Sequence, residues 1–288
     1  MFSGVFDHLA REGSRHSASR LIEAWLPVRS VRLLDDIAYG PNPRQRLDLY
    51  LPREPLARSR LVVFLYGGCW TAGARRDYRF LALALGRHGF AVAVPDYRLF
   101  PEAGFPDFLV DTASAIGWLN RHAAGHGIEG ERLVLIGHSA GAYNAAMVAL
   151  DRTYLAQAGV TPEIVAGVVG LAGPYAFNPL EYQETRKIFA PFSHAPDRVQ
   201  PLRLVRAQAP PMLLVHGGAD RRVLPVNSAR FAAAMRAAGN RVDLRVYPRH
   251  SHVGLLLSLA SPIPRLSGLL DEIVGFLNQT LECDRVAG

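Results

Sequence analysis

The chain has 288 residues, of which 49% are hydrophobic, and a formal net charge of +7 at neutral pH. This length and composition suit a single α/β domain over residues 1–288 with a large apolar core. The positive charge comes from arginines spread along the chain rather than from a dense basic stripe with interleaved aromatic residues, so nucleic acid is not an expected partner.

Membrane and secreted proteins are also disfavoured by the sequence. No uncharged apolar run approaches the ~20 residues of a membrane helix, and the start, Met1 to His8, lacks the pattern of a secretory signal. The two cysteines, Cys69 and Cys283, do not form a disulfide framework. We therefore expect a cytoplasmic protein with no membrane span, no metal and no cofactor, acting on a small molecule, with a homodimer left open.

Strand-like and helix-like segments alternate along the chain, which is typical of a mostly parallel central sheet with helices on both faces. Short apolar runs predict strands at residues 47–51, 61–65, 91–94, 133–136, 165–171, 212–215 and 244–247. Longer runs predict helices at residues 78–88, 107–122, 140–150, 229–238 and 266–277.

Two segments fall outside this alternation. The N-terminal stretch 17–30 begins with an amphipathic helical pattern over residues 17–26 that could cover a pocket. Residues 175–208 are rich in proline and aromatic residues and follow a strand, so we predict a small lid there. Its aromatic side chains either face a pocket or form the core of the lid itself, and the sequence leaves both open: Phe177, Tyr182, Phe189 and Phe192.

Paired glycines follow the buried strand at residues 61–65, in the sequence Tyr66-Gly67-Gly68-Cys69-Trp70. Glycines at this position allow backbone N–H groups to point into a pocket without obstruction by side chains. We expect one such N–H group to help stabilise a developing negative charge.

The most informative motif is Gly137-His138-Ser139-Ala140-Gly141, which fits the G-x-S-x-G nucleophile elbow of serine hydrolases. An apolar strand-like run precedes it, and a helix-forming run follows it. A strand, a sharp turn and a helix would expose the hydroxyl of Ser139 at the top of the sheet, and the N–H of Ala140 would complete the oxyanion hole.

A serine nucleophile needs a base and an acid, which in this layout follow the serine in the order acid, then histidine. Asp220 comes just after the apolar run 212–215 and a tight turn, at the carboxyl end of a predicted strand. Two histidines follow it, His250 and His252. We favour His252 because it directly precedes an apolar stretch that could anchor it, whereas His250 lies beside Arg249.

These residues resemble a known family over roughly residues 36–276. The chain resembles an α/β-hydrolase of the hormone-sensitive-lipase-like esterase group, close to the bacterial esterase and kynurenine formamidase branch. The resemblance depends on several motifs in the family order: residues 66–70, 95–102, 137–141 and 216–223, and the loop that carries His252.

The resemblance implies an α/β-hydrolase fold with Ser139 as the nucleophile, Asp220 as the acid and His252 as the base. It also implies Gly68, Cys69 and Ala140 as oxyanion donors, and a structural brace at residues 96–98 beneath the site. We further expect a set of residues to line the substrate pocket: Tyr66, Gly67, Trp70, His138 and Phe177.

One position departs from the family pattern, because Tyr66 stands where the family has a histidine that fixes the oxyanion loop. A tyrosine can still donate a hydrogen bond, so we expect a rearranged loop rather than an inactive protein.

The expected function is a carboxylesterase that hydrolyses short-chain esters through an acyl-serine intermediate. An arylformamidase or amidase that cleaves N-formyl aromatic compounds would use the same residues, so it is the nearest alternative. A ligand-binding module without catalysis is a third interpretation, disfavoured because no member of the Ser-Asp-His set is missing.

Overall fold

The structure, a computed structural model, describes residues 30–53, 59–259 and 264–282. Within these ranges one sheet contains eight strands, in the order β1-β2-β4-β3-β5-β6-β7-β8. The strands are β1 (Val31–Ala38), β2 (Arg46–Pro52), β3 (Ser59–Leu65), β4 (Phe90–Pro95), β5 (Ile128–His138), β6 (Val165–Leu171), β7 (Met212–Gly217) and β8 (Val242–Tyr247). Strand β2 is antiparallel to β1 and β4, and the remaining neighbours are parallel.

This arrangement confirms the α/β-hydrolase fold class and all seven predicted strands, but the sequence analysis missed the edge strand β1. Its register with β2 shifts between Leu34 and Ile37, where Asp35 and Asp36 interrupt the apolar pattern. A half-exposed edge strand with such an irregularity lacks the continuous apolar run by which the central strands were recognised.

Eight helices accompany the sheet in the described ranges. They are α1 (Arg79–Gly86), α2 (Asp107–His122), α3 (Ala140–Leu150), α4 (Arg152–Gln157), α5 (Gln183–Phe189), α6 (Val226–Ala237), α7 (His252–Ser258) and α8 (Pro264–Glu282). The five predicted helices correspond to α1, α2, α3, α6 and α8, whereas the short helices α4, α5 and α7 were not predicted. None of the helices in the described ranges is both long and apolar enough to cross a membrane.

The core lies on both sides of the central strands. Every residue of β4, β6 and β7 is buried, as expected for parallel strands covered by helices on both faces. Helix α3 is also buried at all of its positions, because its residues are small or apolar around the whole circumference. The helix that begins at the elbow is therefore fixed in the centre of the domain.

The predicted lid segment folds into α5 and three short 3₁₀ helices, at Ala190–Phe192, Pro196–Val199 and Pro201–Leu204. Its first residue, Tyr175, is buried and stacks on Phe231 of α6, so it belongs to the core rather than to a cover. Phe189 is also fully buried, whereas Tyr182 is exposed. The predicted N-terminal helix, 17–26, lies outside the described residues.

The carboxyl ends of β3, β5 and β7 meet at one edge of the sheet, where open parallel sheets place their sites. Gly67 follows β3, Ser139 follows β5 and Asp220 follows β7, while His252 begins α7 after β8. The topology thus gathers residues that are more than 180 positions apart in the chain, Gly67 and His252, at a single edge.

Candidate active site

Ser139 lies in the sharp turn between β5 and α3. Its backbone has φ 54° and ψ −120°, a conformation that costs free energy for a residue with a side chain. The turn is held by the N–H of Ser139, which donates to the carbonyl of Leu171 at 2.9 Å. This is the strained strand-turn-helix geometry that the G-x-S-x-G motif predicts.

Two glycines permit this turn because backbone segments approach too closely for a Cβ atom. A Cβ on Gly137 would lie 2.3 Å from the carbonyl oxygen of Gly141, and one on Gly141 would lie 2.0 Å from that of Leu65. The start of α3 therefore packs directly against the end of β3, which brings the nucleophile elbow next to the glycine-rich loop.

Asp220 and His252 form the central polar contact of the site. Nδ1 of His252 lies 2.7 Å from Oδ2 of Asp220, and both residues are buried. The other carboxylate oxygen of Asp220 accepts hydrogen bonds from the N–H groups of Arg222 and Val223, at 2.9 and 3.0 Å. Asp220 therefore holds the imidazole in the tautomer that leaves Nε2 free as a base.

The charge on Asp220 is stabilised by its partners. Burial alone would raise the pKa of this carboxyl, but the hydrogen bonds from His216 and His252 outweigh that effect and hold the pKa well below its usual value. Asp220 is consequently ionised at neutral pH, as an orienting acid must be.

A second histidine, His216, also lies beside the carboxylate of Asp220, and the sequence did not predict this contact. Nε2 of His216 lies 3.4 Å from the Asp220 carboxylate and 2.8 Å from the carbonyl of Val223. Its Nδ1 lies 2.7 Å from the hydroxyl of Ser228. His216 thus connects the Asp220 carboxylate to the loop that follows Asp220. The sequence signal for this role was the position of His216 in the motif at residues 216–223.

His252 is held beside the elbow by its backbone. It is the first residue of α7, and the preceding Ser251 caps this helix by accepting a hydrogen bond from Gly254. Nε2 of His138 lies 3.1 Å from the carbonyl oxygen of His252, which can only accept, so His138 donates. The two imidazole centroids are 4.8 Å apart, and His138 directly precedes Ser139.

His138 is neutral at the pH of most assays. Its complete burial and the neighbouring His252 lower its pKa to about 3. Its Nδ1 is buried without a hydrogen-bond partner among the described residues. His138 therefore acts as a neutral donor that positions the backbone of His252.

Among the described residues, the alternative histidine, His250, forms no hydrogen bond or ion pair with Asp220. Its ring packs edge-on against Tyr247 with the centroids 5.3 Å apart, and its carbonyl accepts the N–H of Ala219. The structure thus brings His252, the residue favoured on sequence, and not His250, to the acid.

The glycine-rich loop lies against Ser139. A Cβ on Gly67 would lie 2.8 Å from the Cβ of Ser139, so only glycine permits this approach. The next three residues, Gly68, Cys69 and Trp70, all have positive φ angles. Outside the hydrogen bonds within helices and strands, the N–H groups of Gly68, Cys69 and Ala140 bond to no backbone acceptor among the described residues.

Tyr66 braces this loop from beneath and does not open into a pocket. Its side chain is fully buried, and its hydroxyl donates to Asp96 at 2.7 Å. The same Asp96 oxygen accepts the N–H of Arg75 at 2.7 Å, and Arg44 donates to the Tyr66 hydroxyl at 3.0 Å. Burial and the Asp96 carboxylate raise the pKa of Tyr66, so it remains a donor. The side chain of Tyr66 is thus packed beneath the loop, and its place in the pocket lining stays a prediction.

Trp70 is buried as well, since only 2% of it is exposed and its indole N–H donates to Asn144 at 2.9 Å. Its ring packs against Phe108, Tyr143 and Phe189, so the end of the glycine-rich loop is fixed in an aromatic cluster. This cluster includes a lid residue, so Phe189 serves as an anchor for the lid segment.

Phe177 is half-buried, and its ring centroid is 5.5 Å from that of the exposed Tyr182. The adjacent Ala176 donates its N–H to Asn227, close after the Asp220 loop. Of the five residues predicted to line the pocket, Phe177 is partly exposed, and the other four are buried: Tyr66, Gly67, Trp70 and His138.

Known proteins are similar to this chain in both sequence and structure. A family model described as BD-FAE matches residues 47–235. A probable isoprenylcysteine alpha-carbonyl methylesterase of Arabidopsis thaliana is 29% identical over 81% of this chain and 60% of its own length. Kynurenine formamidase of Danio rerio is 27% identical over 86% of this chain and 84% of its own length.

Among solved structures, esterase B from Lactobacillus Rhamnosis superimposes with a TM-score of 0.81 at 19% identity, covering 98% of this chain and 97% of that one. At this identity the likeness supports the fold alone. The chain spans between 51% and 60% of the length of the first three curated plant relatives that it matches, so their activity does not transfer directly.

The burial of neutral His138 predicts an acid-sensitive fold. Its pKa is about 3 in the folded protein but near 6.5 in an unfolded chain. Between these values the unfolded chain binds one more proton at this site, so stability is lost as the pH falls. From pH 6 to pH 4.5, urea unfolding should show that the wild type loses about 2 kcal/mol more than His138→Gln, which keeps a donor for His252. Equal losses in both proteins would contradict the buried neutral state.

Proposed function

We propose that this chain is a serine carboxylesterase that hydrolyses short-chain carboxylic esters through an acyl-serine intermediate. The chain belongs to the BD-FAE family, which supports this proposal. The observation that carries this proposal is the 2.7 Å contact between Asp220 and His252, buried beside the strained turn of Ser139. The close approach of Gly67 to Ser139 supports an oxyanion hole formed by the backbone N–H groups of Gly68, Cys69 and Ala140.

Acylation begins when the Ser139 hydroxyl attacks the ester carbonyl. Nε2 of His252 accepts the hydroxyl proton, and Asp220 stabilises the imidazolium through Nδ1. The negative oxygen of the tetrahedral intermediate is held by the N–H groups of Gly68, Cys69 and Ala140. The intermediate collapses as His252 returns the proton to the departing alcohol.

Deacylation repeats these steps with water. His252 removes a proton from water, which attacks the acyl-serine carbonyl, and the carboxylic acid leaves as Ser139 regains its proton. The neutral state of His138 favours both half-reactions, because a second positive charge 4.8 Å from the His252 ring would oppose formation of the imidazolium.

An arylformamidase is the second candidate, and the similarity to kynurenine formamidase over 84% of that protein favours it. The same nucleophile, base and oxyanion hole would cleave a formyl amide, provided that His252 protonates the departing amine. Ester hydrolysis and formyl-amide hydrolysis therefore differ in how the substrate is bound rather than in the catalytic residues.

We also propose a single domain over residues 1–288, a lid at residues 175–208 and a cytoplasmic location. Whether the protein forms a homodimer is left open. A small lid is supported by α5 and the 3₁₀ helices that follow it, which are anchored through Phe189. The cysteine content supports the location, since the thiol of Cys69 is free and the sequence has only one other cysteine, Cys283.

A substrate panel tests the proposed function. Because aromatic side chains fill the space behind the oxyanion loop, we expect p-nitrophenyl esters with about two to six acyl carbons to be preferred and turnover to fall steeply for longer chains. The panel should run from acetate to palmitate and include N-formylkynurenine. A rate that rises from butyrate to palmitate would contradict the short-chain preference, and a formyl-amide rate far above every ester would favour the arylformamidase.

A pair of histidine variants tests the assignment of the base. His252→Ala should lower kcat/KM for the best ester at least about 1,000-fold, because nucleophile and base act as a unit. His250→Ala is the matched control and should stay within about threefold of the wild type, since the contact of His250 with Ala219 uses its backbone. Circular dichroism should show both variants folded. The reverse ranking would overturn the assignment.

A further inference from the structure

Arg222 lies on the loop after β7, two residues beyond Asp220. Its backbone N–H donates to the Asp220 carboxylate at 2.9 Å, so the candidate acid itself fixes the course of the chain at this point. The side chain of Arg222 is exposed. It therefore extends into solvent from a backbone position that is rigidly attached to the active site.

The guanidinium of Arg222 reaches the oxyanion loop. Its Nη2 lies 3.7 Å from Sγ of Cys69, which joins the loop after β7 to the loop after β3. Sulfur is a weak acceptor, and a guanidinium carries five N–H donors, so most of these donors remain available at the rim of the site.

No carboxylate within the described part of the chain pairs with Arg222. Other arginines do have such partners: Arg75 lies 2.7 Å from Asp48, and Arg98 lies 2.9 Å from Asp111. The nearest acid in the chain, Asp220, is already engaged with His252 and two backbone N–H groups. The Arg222 guanidinium therefore has no carboxylate partner among the described residues, although it lies beside the glycine-rich loop.

This charge also acts inside the site. Burial and the neighbouring His252 have the largest effects on the pKa of His138, Asp220 raises it, and the positive charge of Arg222 makes a smaller contribution that lowers it. A cation that influences a buried imidazole next to Ser139 lies close enough to attract a charged group on a bound ester.

We infer that Arg222 forms an anion-binding subsite, which directs the enzyme towards esters that carry a carboxylate a few atoms from the scissile bond. This inference rests on the proposed function. The planar fork of a guanidinium matches the two oxygens of a carboxylate, and the position at the rim leaves the acyl and the alcohol side of the ester both within reach.

The test compares charged esters with neutral esters of the same size. On the acyl side, monomethyl succinate is paired with the methyl ester of succinamic acid. On the alcohol side, O-acetylglycolate is paired with O-acetylglycolamide. For each pair the measured quantity is the ratio of kcat/KM for the anionic ester to that for the neutral ester, which removes any general effect of a substitution on catalysis.

Arg222→Gln should lower this ratio about 3- to 10-fold for at least one pair, and Arg222→Glu should lower it further. Arg221→Gln is the matched control, since Arg221 is also exposed and lies one position away. It should keep the ratio of the wild type. Raising the salt from about 0.05 to 0.5 M should reduce the ratio of the wild type but not that of Arg222→Gln.

Unchanged ratios in Arg222→Gln for both pairs, or an equal loss in Arg221→Gln, would overturn the inference. So would hydrolysis of p-nitrophenyl esters without turnover of either anionic ester, and in that case the proposed function would stand. Absence of hydrolysis of every ester would instead overturn the proposed function, and the inference with it.

Discussion

The candidate site depends on one constraint: helix α3, which begins at the elbow, lies very close to the end of β3. A Cβ on Gly141 would lie 2.0 Å from the carbonyl oxygen of Leu65 and 2.5 Å from that of Tyr66. Because no side chain intervenes, the strained turn of Ser139 and the glycine-rich loop share one surface. The candidate nucleophile and the candidate oxyanion donors are therefore positioned by backbone packing rather than by flexible side chains.

A buried ionic network beneath the site maintains that packing. Asp96 accepts from the hydroxyl of Tyr66 and from the backbone of Arg75, whose side chain also pairs with Asp48 at 2.7 Å. Tyr66 stacks on Tyr97, with ring centroids 4.8 Å apart. The Tyr66 hydroxyl, which donates to Asp96 and accepts from Arg44, thus links the strand before the glycine-rich loop to this network.

Local patterns in the sequence predicted the parts of this structure that depend on neighbouring residues. The elbow, the central strands and the strand-end position of Asp220 each follow from a few consecutive residues. The edge strand β1 was missed because Asp35 and Asp36 interrupt its pattern, and the contacts of His138 and His216 were missed because they depend on distant partners. Burial of Tyr66 and Trp70 likewise results from tertiary packing, which no local pattern encodes.

The central claim is that Ser139 carries the acyl group during turnover. The most direct measurement is rapid acid quenching of the enzyme during hydrolysis of p-nitrophenyl butyrate, followed by peptide mass spectrometry. The account predicts the mass of one butyryl group on the peptide that contains Ser139, and no such adduct in Ser139→Ala. An adduct on another residue, or continued hydrolysis by Ser139→Ala at the rate of the wild type, would contradict it.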